Sequence, residues 1–171
     1  MTSQSERKEQ LAMTDTPHDQ GARDGETTTS ATDAEWPIPR EGLVVTHLLI
    51  VRDIDRSRRF YSEVLGARTL MERPPAILRF ANTWLVLNTG GGPTDDKPDV
   101  VAAAPSDPNT LTSALNIRVA DIQAVYRLWA SRGAQFLTPP MDHSVEIRCY
   151  LRDPDGHLIE VGQTTTRAPV G

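Results

Sequence analysis

Two stretches of the chain carry polar side chains at every second position, the spacing that brings side chains to one face of a β-strand. Asn116 and Arg118 alternate with apolar neighbours in the first stretch, and Glu146, Arg148 and Tyr150 do so in the second. An arginine offers a planar fork of N–H donors that matches a carboxylate. The pattern therefore predicts either a pocket wall that binds an oxygen anion or a polar sheet face that simply meets water.

A further candidate for chemistry is Glu160, whose neighbours Ile159 and Val161 are apolar. The alternation directs the carboxylate away from the core-facing side of its strand, into any pocket that the sheet forms. An ionised carboxylate removed from water needs a compensating partner. Two partners remain open: a divalent metal ion, which oxygen ligands suit, or an arginine in a structural ion pair.

The only cysteine, Cys149, falls on the apolar side of the strand that carries Arg148 and Tyr150. This position predicts an inert core thiol rather than a nucleophile. A single cysteine cannot form an intramolecular disulfide or a thiolate metal cluster, which excludes zinc fingers and iron–sulfur sites. We expect a reducing, cytoplasmic setting.

The elements that position these residues occur twice in the same order. Segment 51–54 (VRDI) returns 68 positions later as 119–122 (VADI), and the Gly-Ala pair at 66–67 returns after 67 positions at 133–134. Each unit predicts a strand, a helix that begins after an aspartate cap and ends at a glycine, and further strands. The predicted strands are 43–51, 68–71, 77–80 and 84–88 in the first unit, and 115–119, 134–137, 146–151 and 157–162 in the second.

Composition divides the chain into a tail and one domain. Residues 1–41 contain nine acidic and four basic side chains and little apolar periodicity, which predicts a disordered acidic N-terminal tail. Residues 42–171 form one α+β domain, with module one at 43–90, a connection at 91–112 and module two at 113–164. This domain has 14 acidic and 14 basic residues, which disfavours nucleic acid as a partner. No apolar run approaches the roughly 20 residues that cross a bilayer, so we expect no membrane span.

The tandem β-α-β-β-β units, together with segment 153–160 (DPDGHLIE), resemble the vicinal oxygen chelate superfamily. This is the glyoxalase, bleomycin-resistance and extradiol-dioxygenase group, and the resemblance covers residues 43 to about 164. It implies tandem βαβββ modules that form an antiparallel, bowl-shaped sheet around a small-molecule site. It also implies a divalent metal ion as cofactor and a homodimer.

The family's metal ligands stand on the first and last strands of each module. Glu160 matches the last-strand position of module two, whereas the first-strand position of module one falls on Thr46, one residue before His47. A bulge would bring His47 into the bowl as a ligand, and otherwise it is a buried, hydrogen-bonded histidine. The two remaining positions fall on Ala114 and about Leu87, which are not ligands.

The resemblance implies a glyoxalase-like, metal-dependent enzyme, a lyase, isomerase or oxidoreductase, that acts on a small oxygenated or anionic molecule. His47 and Glu160 would hold the ion, and Glu160 would ligate it or move a proton. The alternative is a metal-free small-molecule-binding or sequestering protein of the bleomycin-resistance type, which Leu87 and Ala114 favour. Extradiol cleavage requires two histidines and one carboxylate as metal ligands, so this reaction is disfavoured. Under either function, the expected ligand contacts are Asn116, Arg118, Arg148 and Tyr150.

Overall fold

The structure, a computed structural model, describes residues 35–165. Most of the predicted acidic tail, residues 1–34, lies outside the described residues, as do residues 166–171. The first module consists of β1 (His47–Val51), α1 (Ile54–Arg59) continued by a π-helical turn (Phe60–Val64), β2 (Arg68–Met71), β3 (Ala76–Phe80) and β4 (Thr83–Thr89). The second consists of β5 (Leu115–Arg118), α2 (Ile122–Ser131), β6 (Gln135–Phe136), β7 (Met141–Asp142), β8 (Glu146–Arg152) and β9 (Leu158–Thr164). The predicted α+β class and the repeated order are confirmed, with β7 as an addition.

The same local rules start and end both helices. Asp53 accepts a 2.9 Å hydrogen bond from the backbone N–H of Arg56, and Asp121 accepts one of 2.9 Å from that of Ala124. Each aspartate thereby satisfies an N–H that the first helical turn leaves unpaired. The glycines that follow the helices have left-handed backbone angles, with φ of +88° at Gly66 and +97° at Gly133, so a residue with a side chain would be strained there.

Each module builds its own sheet with the first strand at one edge. The order is β1-β4-β3-β2 in the first sheet and β5-β9-β8-β6 in the second, where β7 also pairs with β8. β1 runs parallel to β4, and β5 runs parallel to β9, while the other pairs are antiparallel. The parallel pairs arise because the helix returns the chain to the same end of the sheet before the next strands form.

One face of each sheet packs against the helices and forms a single core shared by the two modules. The helices contribute Tyr61, Ile122 and Trp129, all buried. Leu128 of the same helix, next to Trp129, is 46 % exposed. The strand residues of this core are Leu49, Val51, Ala76, Leu78, Phe80, Leu85, Leu87, Cys149, Leu151, Ile159 and Val161. We call the other side of each sheet its open face.

The turn between β8 and β9 fastens the second module to the first. Asp155 Oδ1 accepts a 3.0 Å hydrogen bond from the backbone N–H of Arg52, and His157 Nε2 donates one of 2.8 Å to the carbonyl oxygen of Ile50. The turn thus bonds the backbone of β1 and the residue after it. Beneath it, Tyr61 donates a 3.0 Å hydrogen bond to Asp153 Oδ2. Within residues 35–165, no helix combines the length and apolar character that crossing a membrane requires.

Candidate functional site

The open face of the second sheet brings the predicted ligand contacts into two rows across neighbouring strands. In the first row, Asn116 of β5 and Tyr150 of β8 lie on either side of Glu160 of β9. In the second row, Arg118 and Arg148 lie on either side of Gly162. Strand register therefore assembles these side chains on one surface, which we call the polar wall.

Glu160 is held by two neutral donors. Asn116 Nδ2 donates a 2.5 Å hydrogen bond to Oε1 of the carboxylate, and the Tyr150 hydroxyl donates to Oε2. The bond to Glu160 raises the pKa of Tyr150 above its usual range, because a phenol that donates to a carboxylate loses that bond when it ionises. The sequence left a metal ion or an arginine as the partner of Glu160; among the described residues the partners are instead an amide and a phenol.

Both arginines of the polar wall hold one carboxylate, that of Glu146. Arg118 Nη1 lies 2.9 Å from Glu146 Oε2, and Arg148 Nη1 lies 2.9 Å from Oε1. Arg118 also donates a 3.0 Å hydrogen bond to the hydroxyl of Thr164. The bond from Arg118 holds the pKa of Glu146 below its ordinary value, because the cation favours the ionised form. The guanidinium groups stay open to solvent, since the side chains of Arg118 and Arg148 are 43 % and 38 % exposed.

The absence of a side chain at Gly162 makes room for this arrangement. A Cβ built there would lie 2.8 Å from Cζ of Arg118, closer than two carbon atoms pack. The Arg118 guanidinium therefore lies across β9 at the only type of residue that leaves space for it. The sequence contained this signal as a glycine inside an otherwise regular strand, which often marks a close approach.

His47 lies away from the polar wall. It shares the helix-packed face of β1 with Leu49 and Val51, and β1 pairs with β4 in continuous register, so no bulge turns it to the open face. It lines a cavity of about 120 Å³ between β1 and the second module, together with His157. Burial lowers the pKa of His47, and the nearby His157 lowers it further. His47 is thus half-buried on the helix-packed face of β1, whereas Glu160 lies on the open face of the other sheet.

The first module offers no ligands on its own open face at the matching positions. In the second module, Asn116 of β5 pairs with Glu160 of β9. At the matching place in the first module, Leu48 of β1 pairs with Val86 of β4, so Val86 is the structural counterpart of Glu160. The sequence placed that counterpart at about Leu87, which is fully buried on the helix-packed face. The counterpart of Glu160 is therefore one residue away from the predicted position on β4, and both Val86 and Leu87 are apolar.

The donor set near Glu160 does not fit a divalent metal ion. Both carboxylate oxygens already accept hydrogen bonds, and the other groups in the row are a neutral amide and a phenol. Residues 35–165 contain no group of three or more His, Cys, Asp or Glu side chains arranged to hold an ion. The described side chains of the polar wall therefore do not by themselves form a metal site.

The thiol of Cys149 takes no part in the site. The residue is buried on the helix-packed face of β8, and burial raises the pKa of the thiol to about 11. At neutral pH the thiol is therefore protonated and a weak nucleophile.

The repeated modules, each with a sheet whose open face is free of its helix, define the class of proteins with tandem βαβββ modules. A comparison with protein families gives the same class. Residues 43–161 match the glyoxalase/bleomycin resistance protein/dioxygenase superfamily. The chain belongs to this superfamily. No curated protein matches the chain.

Solved structures with the same fold share little sequence with this chain. A glyoxalase/bleomycin resistance protein/dioxygenase from Nocardioides is 21 % identical with a TM-score of 0.63, over 78 % of this chain and 91 % of that one. A protein of the same description from Alicyclobacillus acidocaldarius is 19 % identical with a TM-score of 0.57, over 77 % and 95 %. TioX from Micromonospora sp. ML1 is 20 % identical with a TM-score of 0.53, over 72 % and 100 %. These similarities establish the fold.

Proposed function

We propose that the chain binds a small molecule with a carboxylate, phenolate or enediolate oxygen on the polar wall, and that it serves as a binding or sequestering protein. The observation that carries this proposal is the pair of guanidinium groups on Glu146. Arg118 and Arg148 already hold a carboxylate between them at 2.9 Å each, on the open face of the second sheet. A surface that binds one carboxylate of the chain has the chemistry to bind that of a ligand.

Arg148 is the arginine best placed to contact the ligand. Arg118 uses two of its nitrogens, on Glu146 and Thr164, whereas among the described residues Arg148 bonds only Glu146. Its remaining N–H donors make the planar fork that a carboxylate accepts in a bidentate pair. A bound anion would also relieve the charge imbalance around Glu146, which has two cations beside it.

The Asn116–Glu160–Tyr150 row would orient the rest of the ligand. The Tyr150 ring is half-buried, so it offers an aromatic surface beside the arginines, and the carboxylate of Glu160 can accept a hydrogen bond from a ligand hydroxyl. A hydroxy acid or an acidic phenol presents both an anion and a hydroxyl. This class of compound fits the two rows together.

A catalytic role, with Glu160 as the proton acceptor, is the second candidate. One observation favours it: within residues 35–165 Glu160 forms no ion pair, so its charge is not neutralised by an arginine. The metal-dependent form of this role would need His47, which faces the core. If protein purified without a histidine tag retained zinc, manganese, nickel or iron, and Glu160→Gln released the metal, the metal-free proposal would be overturned.

A second copy of the chain is the proposed partner that encloses the polar wall. The open face of the first sheet is apolar around Leu48, which is 58 % exposed, and Leu43 and Val45 just before β1 are 76 % and 73 % exposed. Isologous pairing is the commonest soluble assembly, and it would cover such apolar groups. Light scattering at micromolar concentration should give twice the chain mass, and a monomer would contradict this part of the proposal.

Calorimetric titration with aromatic acids, hydroxy acids and their neutral amides tests the binding function. Anionic compounds should bind, and Arg148→Lys should weaken binding by about tenfold, because a point charge does not reproduce the guanidinium fork. Arg127→Lys is the matched control, since Arg127 is exposed on α2, away from the wall. Equal binding of amides and acids, or equal effects of the two substitutions, would contradict the proposal.

A further inference from the structure

The cavity beside His47 lies where the two sheets meet, and we call it the seam cavity. β1 is the edge strand of the first sheet and β5 that of the second, and within residues 35–165 no ladder joins the two sheets. Strands outside a common ladder are not held at the close spacing of a sheet, so space remains between them. This space has a volume of about 120 Å³.

Apolar side chains of the shared core form one part of the wall of the seam cavity. Leu49, Tyr61 and Ile159 belong to the core, and Leu115 packs against it. Ala103 and Ser113 of the connection, both exposed, line the outer side, so the cavity can be reached from solvent. A cavity of about 150 Å³ with apolar walls takes up benzene in another protein. The seam cavity therefore has room for a single aromatic ring.

The imidazole of His47 makes the wall polar in a way that packing alone does not require. His47 of β1 pairs with Leu85 of β4, and at the matching register position Leu115 of β5 pairs with Ile159 of β9. Leu115 is therefore the structural counterpart of His47, and both residues line the seam cavity. The second module fills this position with an apolar side chain, whereas the first presents a hydrogen-bonding ring.

The ring of His47 has hydrogen-bonding capacity that the described part of the chain does not use. His157 Nε2 bonds the carbonyl oxygen of Ile50, whereas the ring of His47 forms no hydrogen bond with any residue between 35 and 165. Burial and His157 lower the pKa of His47, so its ring is neutral at about pH 7.5. A neutral imidazole has one N–H donor and one acceptor nitrogen, and a ligand in the seam cavity can use either.

A small neutral phenol matches these features. Its ring fits among the apolar side chains, where burial of apolar surface favours binding. Its hydroxyl can donate to, or accept from, the imidazole of His47. An anion of the same size is disfavoured, because a charge removed from water needs a charged partner and His47 is neutral.

We infer that the seam cavity binds a small neutral phenol, with its ring against Leu49, Leu115 and Ile159 and its hydroxyl on His47. These residues belong to the helix-packed side of the sheets, whereas the polar wall is on the open face of the second sheet. The inference therefore does not depend on the function proposed for the polar wall.

The test titrates full-length protein, labelled with ¹⁵N in its histidines, with phenol at about pH 7.5, where phenol is neutral because its pKa lies near 10. The ring resonances of His47 and His157, assigned by NMR with His47→Gln and His157→Gln variants, should shift and saturate at millimolar phenol. The ring of His143, exposed between β7 and β8, is the internal control and should not move. Rings of His47 and His157 that stay still at millimolar phenol would overturn the inference.

The variant His47→Leu separates the hydrogen bond from the space. It gives β1 the residue that stands at the matching position of β5, so we expect the fold to tolerate it. Toluene fills the same space without a hydroxyl. With the His157 ring as the probe, the ratio of phenol affinity to toluene affinity should fall about three- to tenfold from the parent to the variant, as loss of one hydrogen bond predicts. An unchanged ratio would contradict the role of His47.

Leu115→Phe tests the cavity itself, because the larger side chain takes up the space of the ligand ring. Phenol and toluene should both bind about tenfold more weakly or worse. Leu137→Phe is the matched control, since Leu137 is 44 % exposed and does not line the seam cavity. Equal binding of phenol by the two phenylalanine variants would overturn the inference.

Two further measurements distinguish the seam cavity from the polar wall. Arg148→Gln should leave the phenol-induced shifts of His47 and His157 unchanged, because Arg148 lies on the open face of β8. Benzoate, which has the same ring with a negative charge, should shift these two resonances only at concentrations about tenfold higher or more. Loss of the shifts in Arg148→Gln, or equal affinity for benzoate and phenol, would contradict a neutral ligand in the seam cavity.

Discussion

The hydroxyl of Ser57 donates a 2.8 Å hydrogen bond to Oδ2 of Asp155, although the two residues lie 98 positions apart. Both side chains are buried, and Arg56 adds a 2.8 Å contact to the other oxygen of the carboxylate. A carboxylate without solvent exposure is stabilised here by donors from the other module. The relative placement of the modules therefore depends on one turn residue as well as on the shared core.

We expect Asp155→Ala to lower the free energy of unfolding by about 3 kcal/mol, because the substitution leaves the Ser57 hydroxyl and the Arg52 N–H without their acceptor. Urea denaturation measures the loss. Asp95→Ala, at an exposed position in the connection, is the control and should stay within about 0.5 kcal/mol of the parent. Equal stability of the two variants would mean that the turn contributes nothing to module docking.

Gly162→Ala should disturb the polar wall without replacing any of its side chains. The added Cβ would displace the Arg118 guanidinium and break its bonds to Glu146 and Thr164. We expect the affinity for an anionic ligand to fall about tenfold in calorimetric titration. Gly92→Ala adds a Cβ that meets nothing within 4 Å and should leave affinity unchanged. Unchanged affinity in Gly162→Ala would separate Arg118 from ligand binding.

His47 should make the protein less stable in mild acid. Its pKa is lower in the folded chain than its usual value near 6.5, so the unfolded chain takes up a proton first as the pH falls. Stability is unaffected by this group above about pH 7.5 and decreases as the pH falls through 6.5 towards the folded pKa. The titratable group that acts on the imidazole from the second module is His157, which itself interacts with Asp153.

His47→Asn should therefore flatten the dependence of the thermal midpoint on pH between about 7.5 and 5. His143→Gln, at an exposed position between β7 and β8, is the control and should keep the dependence of the parent chain. If His47→Asn and the parent lost stability in parallel, burial of this imidazole would not be the cause.

Two truncations measure what residues 35–40, which precede β1 and which we call the strap, contribute to stability. Deleting residues 1–41 removes Glu35 from Trp84 and Arg68, whereas deleting residues 1–34 keeps these contacts. We expect the longer deletion to cost about 1 kcal/mol more than the shorter one, which is the scale of one net hydrogen bond. Thermal denaturation of the two chains gives this difference, and identical midpoints would mean that the strap does not stabilise the fold.

Local patterns in the sequence predicted the modules well because local rules govern them. The caps at Asp53 and Asp121 and the glycines at 66 and 133 depend only on neighbouring residues. Strict alternation along β8 and β9 likewise assigned side chains to faces, since the strands run without a shift in register. The polar wall could be listed from these patterns before its bonds were known.

Features that depend on how distant segments meet could not be predicted in this way. The face of His47 was ambiguous because both sides of β1 are apolar in sequence, and only the pairing with β4 resolves it. The bond from the ring of His157 to the carbonyl oxygen of Ile50 likewise joins residues of different modules. The contacts of Glu35 with Trp84 join segments 49 positions apart, and no short-range pattern indicates such a meeting.

The buried thiol of Cys149 has a practical consequence for studying this molecule. Cys149 is the only cysteine of the chain, and burial raises the pKa of its thiol to about 11. Thiol-directed reagents will therefore react slowly with the folded protein at neutral pH. A cysteine introduced at Ile38, which is 71 % exposed on the strap, would then be the preferred attachment point for a fluorophore or spin label. The motion of the strap could be recorded by spectroscopy without first removing the native thiol.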